Sequence, residues 1–372
     1  METGANSPDC ATDEILTTVS YEDYMQQTYG WPFMTVHRAG LQKCLVQGAA
    51  ESGVVQLHLG NFITEYDFDN TRFKVSGKGE KEPEWVQADV IIAADGVKSK
   101  AREAMLAREG IKDEVEDTGQ AAYRIMVRRS AINEDPELLP FFTGTQSYRW
   151  IGEKRHIIAY PIDSGDLFNM STTQPDRHFV QADTWTAVGS KSEMLKTFHD
   201  FCPRIQKLLN LVPEGEVLEW KLRVHKPLPN WVENKAALVG DACHPTLPHI
   251  AQGAAQAIED AACLGVVLSK ITSKDDINSA LQVYQRIRKP RTDWAVMTAA
   301  ENSKGLHTDD KDARNAAFAS SDPGSNPDKM ISREVHDKLF LYDVAKETEK
   351  AFDELFADVK AHPSAPPRAA RM

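Results

Sequence analysis

Between Ala237 and Leu268 the chain reads ALVGDACHPTLPHIAQGAAQAIEDAACLGVVL, and this stretch restricts the fold more than any other. An apolar run stops at Gly240-Asp241, Pro245 and Pro248 bracket a short loop, and Gly253 opens a helix of small residues. In open α/β sheets, ligands gather beyond the carboxyl ends of parallel strands. The pattern therefore sets one carboxylate, Asp241, at a strand tip and aims a helix N-terminus at the same place. Gly253, Ala254 and Ala255 would let a flat ligand come close to that helix, whose free N–H groups and positive dipole end favour negative charge. On this helix Ala254, Ala257, Ile258, Ala261, Leu264, Gly265 and Leu268 recur at i, i+3, i+4 spacing, which predicts one apolar face.

A second run of the same kind, ADVIIAADG (Ala88–Gly96), is continuously apolar with a carboxylate and a glycine at its end, as expected for a parallel strand buried on both faces. Around these two runs the remaining segments fall into order. A helical spacing covers Val36–Ser52, and VVQLHLG, ITEYDFD and RFKVSG read as successive strands between Asn and Asp turn signals. QAAYRIMVRR, RHIIAYPID and LFNMSTT, rich in aromatic and β-branched residues, predict a sheet, and KSEMLKTFHDFCPRIQKLLNLV a helix packed on it. INSALQVYQRIRKPRTDWAVMTAAENS continues as helix with a break or kink at Pro290, and the stretch beginning at Arg333 is one charged amphipathic helix. SSDPGSNPD (Ser320–Asp328) reads as a loop.

Composition narrows the class. A net charge of −12 supplies no basic surplus for nucleic acid or anionic membrane. No apolar run approaches the roughly 20 residues that span a bilayer, and the first residues lack the basic start and apolar core of a signal peptide. Five scattered cysteines without a C-x-x-C predict reduced thiols in a cytoplasmic protein rather than a disulfide frame or zinc site. His244 beside Cys243 has no partner at ligand spacing, so no metal is expected. The final Ala370-Arg371-Met372 is loosely similar to a peroxisomal tail, a match that chance also produces.

GDACHPTLPHIAQGAAQAIEDA resembles the second FAD-binding signature of the aromatic-ring flavoprotein monooxygenases, especially the salicylate hydroxylase-like branch with the para-hydroxybenzoate hydroxylase fold. DGVKSKAR (Asp95–Arg102) resembles the family's D-G-x-x-S-x-x-R segment, which contacts FAD and the reduced nicotinamide cofactor, and HRAGLQKCL its R-x-x-L-Q stretch. KPLPNWVENKAALVGDA, YQRIRKPRT and LFLYDV also match, so the likeness runs from about Trp31 to Ala357. It implies that Asp241 binds the ribityl chain, that Gly253 and Ala254 lie against the isoalloxazine, and that Arg38 and Asp95 contact the cofactor. Arg124 and Tyr160 fall where fungal phenol hydroxylases of this branch carry an Arg and a Tyr that hold a phenolate. A guanidinium and a phenol donor would lower the pKa of a bound phenol and orient its ring. A half-buried strand tyrosine and an exposed strand cation account for the same two residues equally well.

The resemblance implies an α/β fold: an FAD/NAD(P)-binding Rossmann-like domain interrupted by a mixed β-sheet substrate domain, with a helical C-terminus. The boundaries expected are a poorly ordered segment at 1–30, the FAD-binding domain at 31–117 and 225–305, the substrate domain at 118–224, a helical region at 306–358 and a disordered tail at 359–372. The implied activity is hydroxylation of a phenolic or aromatic, polyketide-like molecule with FAD, NAD(P)H and O₂. One departure bears on this. The family's opening strand, G-x-G-x-x-G turn and helix, which carry the FAD pyrophosphate, have no counterpart; the one G-x-G, Gly77-Lys78-Gly79, is followed by Glu82 in a charged turn. The sheet is thus expected to be truncated at its N-terminal side. The alternative to an active enzyme is a non-catalytic relative that binds an aromatic ligand or partner without competent FAD binding.

Overall fold

The computed structural model describes residues 4–77, 82–176, 186–307, 311–319 and 327–362. The Gly79 end of the G-x-G, most of the Ser320–Asp328 stretch and the last ten residues lie outside them. The chain begins with β1 (Gly4–Pro8), β2 (Ile15–Ser20), α1 (Glu22–Tyr29) and α2 (Arg38–Glu51). Then come β3 (Asn61–Asp67), β4 (Arg72–Gly77), β5 (Glu84–Gln87), β6 (Ile91–Ala93) and α3 (Lys100–Arg108). Next are β7 (Val115–Arg128), α4 (Leu139–Thr143), β8 (Gln146–Gly152), β9 (Arg155–Ile162) and β10 (Leu167–Pro175). β11 (Thr186–Val188), α5 (Lys191–Thr197), α6 (Pro203–Asn210) and β12 (Leu218–His225) follow. The last elements are β13 (Val232–Glu233), β14 (Ala236–Leu238), α7 (Gly253–Ser269), α8 (Ile277–Leu306), α9 (Lys311–Ala319), α10 (Arg333–Phe340) and α11 (Val344–Ala361).

These elements form two compact units: 1–56, 117–223 and 302–337 make the first, and 57–116, 224–301 and 338–372 the second. The first is built on a mixed eight-stranded sheet in the order β11-β12-β7-β10-β9-β8-β1-β2, with β1 parallel to β8. One face of this sheet is a dry core. Tyr123, Ile125, Val127, Trp150, Ile157, Ala159, Phe168 and Met170 pack there with Phe141 and Phe142 of α4, Met194 of α5, and Ile205, Leu208 and Leu209 of α6. Alternation along each strand sets this face, and each such side chain removed from water contributes about 1.5–3 kcal/mol. Residues 4–20, expected to be poorly ordered, instead add the β1–β2 hairpin to the sheet. The expected single helix after Lys191 is two, because Pro203 starts α6 and cannot donate to the turn before it.

The second unit carries an antiparallel meander, β3-β4-β5, and a three-stranded sheet, β13-β14-β6, in which β14 and β6 are parallel. Val54 to Gly60, expected as a strand, is irregular. β6 is not buried on both faces as expected: Ile91 and Ala93 are buried but Ile92 is 38% exposed, and among the described residues no strand pairs beyond β6. The buried stripe of α7 also differs from the expected one. It consists of Gln256, Asp260, Cys263, Leu264 and Val267, while Ile258 is 50% exposed. α8 continues through Pro290, where a break or kink was expected, without a break. The amphipathic stretch from Arg333 divides into α10 and α11 because the Asp343 side chain accepts the Lys346 N–H and caps a new helix.

Candidate functional site

In the second unit the two strand tips come side by side. β14 pairs with β6 in the register Leu238↔Ala93, and the Val239 N–H donates to the Ala93 carbonyl at 3.1 Å. The chain then turns at Gly240, whose φ of +59° suits glycine and where an added Cβ would stand 3.1 Å from the Ala257 Cβ of α7. This close approach brings the exposed Asp241 to the start of α7: Oδ1 lies 3.9 Å from where a Gly253 Cβ would stand, and among the described residues, its chain neighbours and the helix's own backbone aside, no other atom comes within 4 Å. No side chain caps α7 at Gln252, and no acidic residue occupies its first turn. Gly253 and the exposed Ala254 thus leave the helix N-terminus open beside a carboxylate. The ribityl and ring portion of a flavin fits this arrangement: hydroxyls for Asp241, and a negatively polarised ring edge for the N–H groups.

Asp95 has a second occupation. Its Oδ2 accepts the N–H groups of Lys100 (2.8 Å) and Ala101 (3.1 Å) and the Tyr66 hydroxyl (3.5 Å), so this carboxylate anchors the start of α3. Burial, and then the Asp95 charge, push the Tyr66 hydroxyl well above its ordinary pKa.

Two buried networks hold the strand tips, and neither was singled out in the sequence. Arg102, 1% exposed, donates to the carbonyls of Val97 (2.7 Å), Ala242 (3.1 Å) and Asp241 (3.4 Å), and through Nε to Asp113 (2.9 Å). It joins the loop after β6 to the loop after β14. His225 Nε2 lies 3.2 Å from the same guanidinium and must accept there, so its Nδ1–H donates to Asp113 at 3.0 Å. Burial, followed by the Arg102 charge, lowers the His225 pKa and suits this neutral tautomer. Burial works against the Asp113 carboxylate, but the His225 hydrogen bond and Arg102 outweigh it and keep its pKa low.

The second network centres on Asp260, which is fully buried. It accepts the Gly240 N–H (2.9 Å), His244 Nε2–H (2.6 Å) and Arg288 Nε–H (2.9 Å). Arg288 also bonds Glu259 (2.5 Å) and the Gln256 side chain (2.8 Å). Burial opposes the charge on Asp260, yet His244 and Arg288 hold its pKa below the usual range. Cys243, His244 and Asp260 come within 4.8 Å of one another, a grouping that their linear spacing hid. The Arg288 guanidinium already neutralises the carboxylate in it. The sequence signals were present: an Asp three residues before the Cys263-Leu264 pair of a small-residue helix, and Arg288 in the basic run RIRKPR.

Arg38, Arg124 and Tyr160 belong to the first unit, and the structure brings them together. Arg124 lies on β7, Tyr160 on β9, and Arg38 opens α2. Arg124 is among the exposed residues of its strand, yet its surroundings desolvate the guanidinium enough to lower its pKa; Tyr160 favours its charge and Arg38 opposes it. Burial raises the Tyr160 pKa, with Arg124 pulling the other way.

The fold and the strand-tip carboxylate facing an open helix start define a class, that of FAD-binding oxidoreductases. The family model described as FAD binding domain matches residues 20–300. Among relatives, the FAD-dependent monooxygenase ntnJ of Nectria sp is 32% identical over 323 residues, covering 86% of this chain and 74% of the relative. The 3-hydroxybenzoate 6-hydroxylase 2 of Aquipseudomonas alcaligenes is 30% identical, with 74% and 80% covered. The chain belongs to the FAD-dependent monooxygenases that carry this domain. Its fold is shared by a salicylate hydroxylase substrate complex (TM-score 0.74, 21% identity, 99% of this chain and 85% of that one). It is shared too by CtdE in complex with FAD and substrate 4 (TM-score 0.80, 21% identity, 96% and 82%). Among the described residues no helix is long and apolar enough to cross a membrane.

Proposed function

We propose that the chain hydroxylates a phenolic or aromatic small molecule with FAD, NAD(P)H and O₂. The observation that carries this reading is the meeting of Arg124 and Tyr160 on an open sheet face, with Arg38 as a second cation beside them. Among the described residues the influences on Arg124 are burial, Tyr160 and Arg38, a setting that suits an anionic ligand. A phenol laid there loses its proton more readily. The charge left on its oxygen makes the ring carbon beside it a better nucleophile toward an electrophilic oxygen. Tyr160 donates to the same oxygen and fixes the ring's orientation.

Asp241, Gly253 and Ala254 hold the cofactor, Asp241 through the ribityl hydroxyls and the start of α7 against the ring. When bound, FAD supplies the electron transfer from NAD(P)H and the activation of O₂. Relatives named for hydroxylating 3-hydroxybenzoate and 6-hydroxynicotinate support an oxygenated aromatic substrate. The test is turnover by the FAD-supplemented protein with a panel of phenols. NAD(P)H oxidation stimulated by a phenol, with a product heavier by one oxygen atom, is expected. Oxidation that no phenol accelerates would contradict the assignment.

A further inference from the structure

The open face of the first unit's sheet has an internal order that the Arg–Tyr pair does not use. Ser171 of β10 stands directly opposite Arg124 on β7 and Ile158 on β9; Asn169 stands opposite Met126 and Tyr160. Residues opposite one another share a face, so two rows cross three strands: Arg124–Ser171–Ile158 and Met126–Asn169–Tyr160. The Arg and the Tyr occupy opposite corners and two apolar side chains the others. An amide and a hydroxyl lie in the middle. With strands about 4.8 Å apart, the outer strands are about 10 Å apart, so a phenol oxygen that Arg124 and Tyr160 both reach lies over β10, and its ring over Asn169 and Ser171.

Those two middle groups are half-buried, and among the described residues no protein group bonds to their side chains. The contrast along the same face is sharp. Arg149, opposite Ile158, bonds Asp328 at 2.5 Å; His156, opposite Thr173, meets His307 at 2.8 Å; Gln120 meets Ser303 at 3.2 Å. These three covered polar side chains each meet a protein partner. Asn169 and Ser171 keep their hydrogen-bonding capacity where the ring is to lie.

We propose that Asn169 and Ser171 are specificity-determining residues, selecting an aromatic ring that carries a neutral oxygen function, hydroxyl or carbonyl, besides its acidic hydroxyl. Each can both donate and accept, so they read a neutral oxygen and not a second charge, while Met126 and Ile158 border the apolar ring. This rests on the assignment of Arg124 and Tyr160 to the phenol, but its test needs no turnover.

The full chain, supplemented with FAD, is titrated calorimetrically with phenol, resorcinol and 2,4-dihydroxyacetophenone. The wild type is expected to bind the two oxygenated rings more tightly than phenol. Ser171→Ala and Asn169→Leu should each reduce that preference roughly five- to tenfold, the worth of one neutral hydrogen bond, with phenol affinity unchanged. Ser171→Thr should restore it; this conservative pair keeps the test valid if Asn169→Leu fails to fold. A wild type without the preference, or variants in which all three affinities fall together, would overturn the proposal. A protein that hydroxylates phenols with selectivity indifferent to both variants overturns it alone. One that binds selectively yet turns nothing over sinks the hydroxylase reading and leaves this one standing.

Discussion

Asp241 and Asp95 end equivalent strands, yet their carboxylates serve different ends. Asp95 spends Oδ2 on the backbone of α3 and on Tyr66, whereas Asp241 is exposed beside the uncapped start of α7. Asp241→Ala is therefore expected to abolish flavin retention while leaving the fold intact; a variant that purifies as yellow as the wild type would remove Asp241 from the site. Arg124→Ala removes the cation proposed to meet a phenolate. NAD(P)H consumption should continue while hydroxylated product falls by tenfold or more, about 1.4 kcal/mol of lost stabilisation or above. Unchanged coupling of the two would exclude Arg124. Both residues are proposed from the sequence because a family pattern surrounds them. Arg102 was not singled out, though it closes the same D-G-x-x-S-x-x-R segment, because its work is to bind carbonyls from a loop more than a hundred residues away.

At the scale of elements, α7 shows what periodicity misses. A count of small and apolar residues points one face inward, but the buried stripe is the one carrying Gln256 and Asp260. A charge is costly to bury unless paired, and the partners of Asp260 arrive from α8 and from the loop after β14. Asp260→Ala leaves the Arg288 guanidinium buried with one carboxylate fewer and frees the Gly240 loop. A destabilisation of about 3–5 kcal/mol is expected, read as a lower urea midpoint, and a loss below 1 kcal/mol would show the network to be dispensable. The strands β7, β9 and β10 announced themselves through alternating aromatic and β-branched residues. β1, with the sequence GANSP, could not: it is a strand because β8 and β2 flank it, not through its own propensity. The break at Pro203 was visible, and the helical period on either side masked it.

For the molecule as a whole, each unit has its own core, and each holds a buried histidine with a lowered pKa. In the second unit burial and Arg102 depress His225; in the first, burial depresses His336 despite the carbonyl of Met330 on its Nε2. A histidine neutral when folded and protonated when unfolded gives stability that is complete above the ordinary value of 6.5 and is lost as pH falls through the depressed values. Asp113 and Asp260 add a further loss below about 3.8. The melting temperature should therefore decline from pH 7 to pH 5 and more steeply below pH 4. A profile flat from pH 7 to pH 5 would contradict the neutral assignment of these histidines.

The most direct measurement is to add FAD to the purified 372-residue chain, pass it through a desalting column and record the visible spectrum. Flavin co-eluting with the protein, its absorbance shifted from that of free FAD and lost in Asp241→Ala, is the result that a strand-tip carboxylate beside an open helix start predicts. A colourless protein fraction with all the flavin left behind would contradict it.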